Sequence, residues 1–176
     1  LNLQLPHNDL QVVSMNAPTS ALSGFNLTVS CVITNSGTNA IPNTSWRDGF
    51  YLSTDQTLST NDLYLAEVPN PIPLGGGGSY TNTLTVRLAD GFAGNFYLFA
   101  YADSGMQVFE QNETNNLALH PSPIAIASIP PDLVVEACSA TPGTYIAGMS
   151  APVSWTVRNL GPGLTSVDSW SDRVVL

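Results

Sequence analysis

The chain has 176 residues, 43% of them hydrophobic and only 10% charged, against about a quarter charged in an ordinary soluble domain. Charge is one-sided: 13 Asp and Glu stand against 4 Arg, with no Lys, for a net −9. That excludes nucleic acid and anionic lipid as partners, because no basic patch exists to displace counterions from phosphates, and it suits cation-rich surroundings.

Internal similarity organises the chain. NDLQVV (8–13) returns as PDLVVE (131–136), LTVSCVITNSG (27–37) as APVSWTVRNLG (151–161), and SWRDGFYL (45–52) as SWSDRVVL (169–176). The spacing predicts one complete repeat over residues 8–128, then a linker and the first part of a second repeat over 129–176. Residues 1–7, LNLQLPH, read as the last strand of a preceding repeat or as a linker, so the sequence reads as a piece of something longer.

In chain order, FNLTVSCVIT alternates with period two. Phe25, Leu27, Val29, Cys31 and Ile33 are expected on one buried face. NTSWRDGFYLS, YLAEV, YTNTLTVRL, GNFYLFAYAD and MQVFE follow as further strands, rich in β-branched and aromatic residues. Gly, Pro, Asn and Ser clusters separate them. No segment carries a sustained helical period or an apolar run of transmembrane length. The expectation is an all-β, immunoglobulin-like antiparallel β-sandwich in tandem repeats. The linker SIPPD (128–132) contains two prolines and reads as stiff. Cys31 and Cys138 fall in different repeats, so a disulfide is not expected, and Cys31 reads as a buried thiol.

Asp48 shares parity with Trp46, Phe50 and Leu52 and so points inward. A buried carboxylate needs partners. Asp48 and Trp46 therefore read as structural, with Asp48 held by backbone N–H groups or by the ETNN segment (113–116). The densest polar stretch is DSGMQVFEQNETNN (103–116). A tight turn at SGM is expected to bring Asp103, closing one strand, near Glu110, ending the next. Asp103, Glu110, Asn112, Glu113 and Asn116 offer oxygens of the kind Ca²⁺ takes. Asp55 and Asp62 form a second acidic loop, alone or joined to the first. These residues also admit a reading without any ion, because Asn and Asp side chains fix turns through nearby backbone. Asn115 is read that way. His7 and His120 stand alone beside prolines, so zinc is not expected. No nucleophile motif or phosphate-binding glycine loop occurs.

PDLVV, SW-x-D followed by YLSTD (45–55), NFYLFAYAD (95–103) and the closing VFEQNETNN (108–116) together resemble the bacterial CARDB family, the cell-adhesion-related domains found in bacteria. The resemblance implies an immunoglobulin-like sandwich, usually in tandem on secreted or surface-anchored proteins, and no catalysis. The expected function is a structural or adhesive module outside the cell or on its surface, stabilised by Ca²⁺ at the acidic stretch. Its partners are neighbouring repeats and a surface glycan or protein ligand. Two alternatives stand beside it. One is a carbohydrate-binding or accessory module of a secreted hydrolase, with Tyr51, Tyr64, Tyr80 and Tyr101 lining a sugar strip. The other is a strand-complemented subunit of an extracellular filament.

Overall fold

The computed structural model describes residues 7–42, 45–70, 73–165 and 167–175. The chain divides into two units, Leu1–Ala127 and Ser128–Leu176.

The first unit is a two-sheet sandwich. One sheet has the order β1-β3-β6, from Leu10–Asn16, Asn26–Asn35 and Ser79–Arg87. The other has the order β2-β9-β7-β4-β5, from Ser20–Leu22, Ile124–Ala127, Gly94–Tyr101, Arg47–Ser53 and Leu63–Pro69; β8 (Leu117–Leu119) also pairs with β7. The ladders are antiparallel except β2 with β9, which is parallel. Period-two alternation explains the packing. Leu27, Val29, Cys31 and Ile33 of β3 and Phe50 and Leu52 of β4 turn their side chains into one shared core, with Trp46 beside them and Leu98 and Ala100 of β7 flanking β4 in the same sheet. Burial of these side chains removes enough apolar surface to define which face is inside.

Two expectations of strand are corrected. Phe25 is 45% exposed and precedes β3, so the buried face starts at Leu27. MQVFE (106–110) forms no strand. The Asp103 carboxylate takes the backbone N–H groups of Gln107 and Val108, which a ladder would need, and Phe109 is left in solvent. Strand β7 ends at Tyr101, before Asp103. The expected strand of residues 1–7 lies mostly outside the described residues.

In the second unit β10 (Leu133–Ala140) pairs antiparallel with β11 (Val153–Asn159). Its register reproduces that of β1 with β3. Leu10 faces Asn35 and Leu133 faces Asn159; Val12 faces Ile33 and Val135 faces Val157. A bulge follows at the same place in both, between Val12 and Ser14 and between Val135 and Ala137. The side chains at these positions differ in exposure. Leu10 and Cys31 are buried, whereas their counterparts Leu133 and Trp155 are 43% and 41% exposed.

An asparagine clip closes both ladders. Asn35 Oδ1 accepts from the N–H groups of Asp9 (3.2 Å) and Gly37 (3.1 Å), and its Nδ2 donates to the Asn39 carbonyl (2.7 Å). Asn159 Oδ1 accepts from Asp132 (2.9 Å) and Gly161 (3.0 Å), and its Nδ2 donates to the Gly163 carbonyl (2.6 Å). The chain entering each unit crosses this turn closely. A Cβ on Gly37 would lie 2.1 Å from the His7 carbonyl oxygen, and one on Gly161 would lie 2.5 Å from that of Pro130. Glycine is the residue that permits the crossing.

Candidate functional site

The chemistry-bearing side chains of the first unit form two connected groups. The first spans the sandwich. Parity turns Asp48 of β4 inward, and it is fully buried. Its Oδ2 accepts from the Tyr80 hydroxyl (2.8 Å) and Asn82 Nδ2 (2.7 Å), both on β6 of the opposite sheet. Its Oδ1 accepts from the backbone N–H of Asp103 (3.0 Å). Trp46 Nε1 in turn donates to the Tyr80 hydroxyl (2.9 Å). The relay joins the two sheets and the 103–110 loop through one carboxylate. Burial pushes the Asp48 carboxyl up to about 6; the bonds from Asp103, Tyr80 and Asn82 pull the other way, and the nearby Asp103 charge adds to the rise. Burial also pushes the Cys31 thiol up to about 12, helped by the Asp48 charge, so this cysteine is inert. One backbone N–H, that of Asp103, holds Asp48, and its other donors are the side chains of Tyr80 and Asn82; the ETNN segment does not take part.

The second group sits where residues 8–10 meet 110–116. Asp103 has left-handed backbone (φ 45°) and is fully buried. Its two carboxylate oxygens accept from Gln107 (2.9 Å) and Val108 (2.6 Å), which offsets the strain of that conformation. Glu110 is buried, with Oε2 accepting from the N–H of Leu10 and Oε1 from Asn116 Nδ2 (3.0 Å). Glu113 Oε1 accepts from the N–H of Glu110 (3.3 Å). Asn115 Nδ2 donates to Asp9 Oδ1 (2.9 Å). Burial pushes the Glu110 carboxyl up to about 7; the bonds from Leu10 and Asn116 oppose this, and the charges of Glu113 and Asp103 reinforce it.

The seven expected metal ligands do not form one site. Asn112 Oδ1 is spent on the backbone and hydroxyl of Thr114. Asp55 Oδ1 accepts from Thr57 (2.8 Å) and Asp62 Oδ2 from Ser59 (2.6 Å), which are turn bonds in an exposed loop. Hydrogen bonds from Ser53 and Ser59 hold the Asp62 carboxyl below its ordinary value, the Ser53 hydroxyl first. That loop follows the last residue of β4, whereas Ser104 bonds to Arg47, its first. Seven strand residues put the two acidic loops about 20 Å apart. The physical reason is topological: sequence shows two acidic loops but not which end of the sandwich each occupies. Among the described residues no three His, Cys, Asp or Glu side chains gather as a metal-binding group. His120 Nδ1 lies 2.8 Å from the Ser122 carbonyl oxygen in its own turn.

The tyrosine strip is also redistributed. Tyr80 belongs to the core relay. Tyr51 and Tyr64 pair on β4 and β5 with centroids 5.5 Å apart and planes tilted by 58°, so they are not coplanar.

Asn82 and Asn35 are the residues that the sequence reading missed, and Tyr80 was expected on a sugar strip where the structure has it in the core. Signals existed for both asparagines. Asn82 is a polar residue at an inward position between Tyr80 and Leu84. Asn35 recurs as Asn159 at the same repeat offset.

The fold and its buried carboxamide and carboxylate connectors define an all-β, immunoglobulin-like sandwich. The CARDB family model matches residues 7–119, and the chain belongs to that family. The chain is similar to the CARDB domain of a Pyrococcus furiosus protein, whose crystal structure is in complex with di-metal ions. Identity is 17% and the TM-score 0.54, over 72% of this chain and 99% of that one. The solution structure of the same Pyrococcus domain gives 19% and 0.51, over 69% and 97%. A domain of a proposed cell surface protein from Methanosarcina acetivorans gives 20% and 0.48, over 70% and 94%. No curated protein matches the chain. Among the described residues no helix is long and apolar enough to cross a membrane.

Proposed function

We propose that residues 7–127 are a non-catalytic spacing module of an extracellular or cell-surface protein, repeated in tandem along its chain. One observation carries this reading: the buried acids spend their oxygens on their own chain. Asp48 fastens two sheets and a loop, Asp103 fastens its own loop, and Glu110 fastens the entry of β1. A catalytic carboxylate needs a free oxygen facing substrate. The shared register, bulge and asparagine clip of β1–β3 and β10–β11 support tandem repetition. The di-metal ions of the Pyrococcus domain support a stabilising ion in such a module, and Ca²⁺ is the species that oxygen ligands suit.

Isosteric substitution tests the fastener role. Asp48→Asn and Asp103→Asn each set an amide nitrogen against buried donors. Each should lower stability by about 1–3 kcal/mol in chemical denaturation. Neutralising a catalytic acid usually relieves strain and raises stability, so a rise for either variant would contradict the proposal. Surface location has a separate check. Cys138 is exposed and Cys31 buried, so a membrane-impermeant maleimide should label intact cells at Cys138; protection of that residue would place the module inside.

A further inference from the structure

Asn-x-Ser/Thr, the pattern at which an asparagine amide nitrogen accepts a glycan, occurs three times in the chain, at Asn26, Asn43 and Asn112. Asn43 lies outside the described residues. The fold treats the other two in opposite ways. Asn26-Leu27-Thr28 opens β3 and is paired along β6, Asn26 with Arg87 and Thr28 with Thr85. The Thr28 hydroxyl is bonded to that of Thr85 (2.9 Å), and Leu27 is a core residue, 1% exposed. An enzyme could lift this triplet from the sheet only by breaking the ladder and uncovering Leu27, which apolar burial opposes.

Asn112-Glu113-Thr114 lies between strands, ahead of β8. Asn112 and Thr114 are exposed and Glu113 is half-buried, so no core side chain has to leave for the triplet to be reached. Asn112 Oδ1 accepts from the Thr114 N–H (3.1 Å) and from the Thr114 hydroxyl (2.7 Å). The turn sets the two side chains that define an acceptor next to each other, and it leaves Asn112 Nδ2 without a partner among the described residues. A carboxamide nitrogen is a weak nucleophile, because its lone pair is shared with the carbonyl. A hydroxyl bonded to Oδ1 stabilises negative charge on that oxygen and so eases loss of an Nδ2 proton. We propose that Asn112 is an N-glycan acceptor of the folded module and that Asn26 is not. The donor class is an oligosaccharide carried on a polyprenyl diphosphate. Nδ2 attacks C1 of its first sugar, and the N–C1 bond forms while the bond from C1 to the diphosphate oxygen breaks. Polyprenyl diphosphate leaves with the electron pair, and a base of the transferase takes one Nδ2 proton. The setting rests on the extracellular reading above; the acceptor geometry does not.

The test combines the purified, folded 176-residue chain, a purified oligosaccharyltransferase that reads Asn-x-Ser/Thr, and a polyprenyl-diphosphate oligosaccharide. Peptide mapping by mass spectrometry then reads each triplet separately. The reaction does not depend on where the module resides, so its failure is distinct from a failure of maleimide labelling at Cys138. A synthetic peptide of residues 22–30 is run to full modification of Asn26 and sets the reaction time. At that time the folded chain should carry a glycan on Asn112 and none on Asn26. Thr114→Val should lose the modification and Thr114→Ser should keep it, both with the near-ultraviolet dichroism of the parent. An unmodified Asn112, a modified Asn26 in the folded chain, or an Asn112 still modified in Thr114→Val would overturn the proposal.

Discussion

Asp48 and Glu110 bury carboxyls whose proton affinity rises on folding, and this fixes how stability depends on pH. In the unfolded chain these groups take their ordinary values of 3.8 and 4.5; in the folded chain they stand at about 6 and about 7, with desolvation the first cause for each. A raised carboxyl favours folding while it is protonated. Their joint contribution is therefore complete below about pH 4, declines as pH rises through 7, and is gone above. Each group is worth at most about 3 kcal/mol across that window. In chelator, the unfolding midpoint should fall between pH 5 and pH 8; a midpoint that climbs over this interval would contradict the assignment. At this scale the sequence was half legible. Parity alone turns Asp48 inward beside Trp46, Phe50 and Leu52. Its donors Tyr80 and Asn82 lie more than 30 positions away on the opposite sheet, and no local pattern encodes a cross-sheet partner.

Elements were the most legible scale, because alternation is physical: it states which face is wet. The β3 run from Leu27 and the inward face of β4 follow from it directly. Failures arose where a side chain competes with the ladder. Asp103 draws Gln107 and Val108 into a loop that MQVFE, by composition, would have made a strand. Phe25 obeys the parity of β3 but lies beyond its first residue, where no sheet covers it. The asparagine clip belongs to this scale as well, since it fixes how β1 meets β3. Asn35→Ala removes an acceptor used twice and a donor used on Asn39 and on Gly75 (3.3 Å). It should cost about 2–4 kcal/mol in denaturant unfolding. Asn35→Asp keeps the acceptor but sets a buried oxygen against the Asn39 and Gly75 carbonyls, and should cost at least as much. No cost for either variant would show that the turn holds without the clip.

For the whole molecule, the charge balance and the internal similarity of the sequence were readable and spatial gathering was not. Two acidic loops look alike along the chain, yet one ends β4 and the other caps its start, so only folding separates them. The central claim is that buried acids act as fasteners of the sandwich. Native-state hydrogen exchange of the amides of Leu10, Asp103 and Val108, each bonded to a carboxylate, tests it most directly. The account predicts that all three exchange only through global unfolding, as core amides of β3 and β7 do, and that β10 and β11, a two-stranded sheet, exchange faster. Exchange of Asp103 and Val108 at the rate of an open loop, while β3 remains protected, would contradict it.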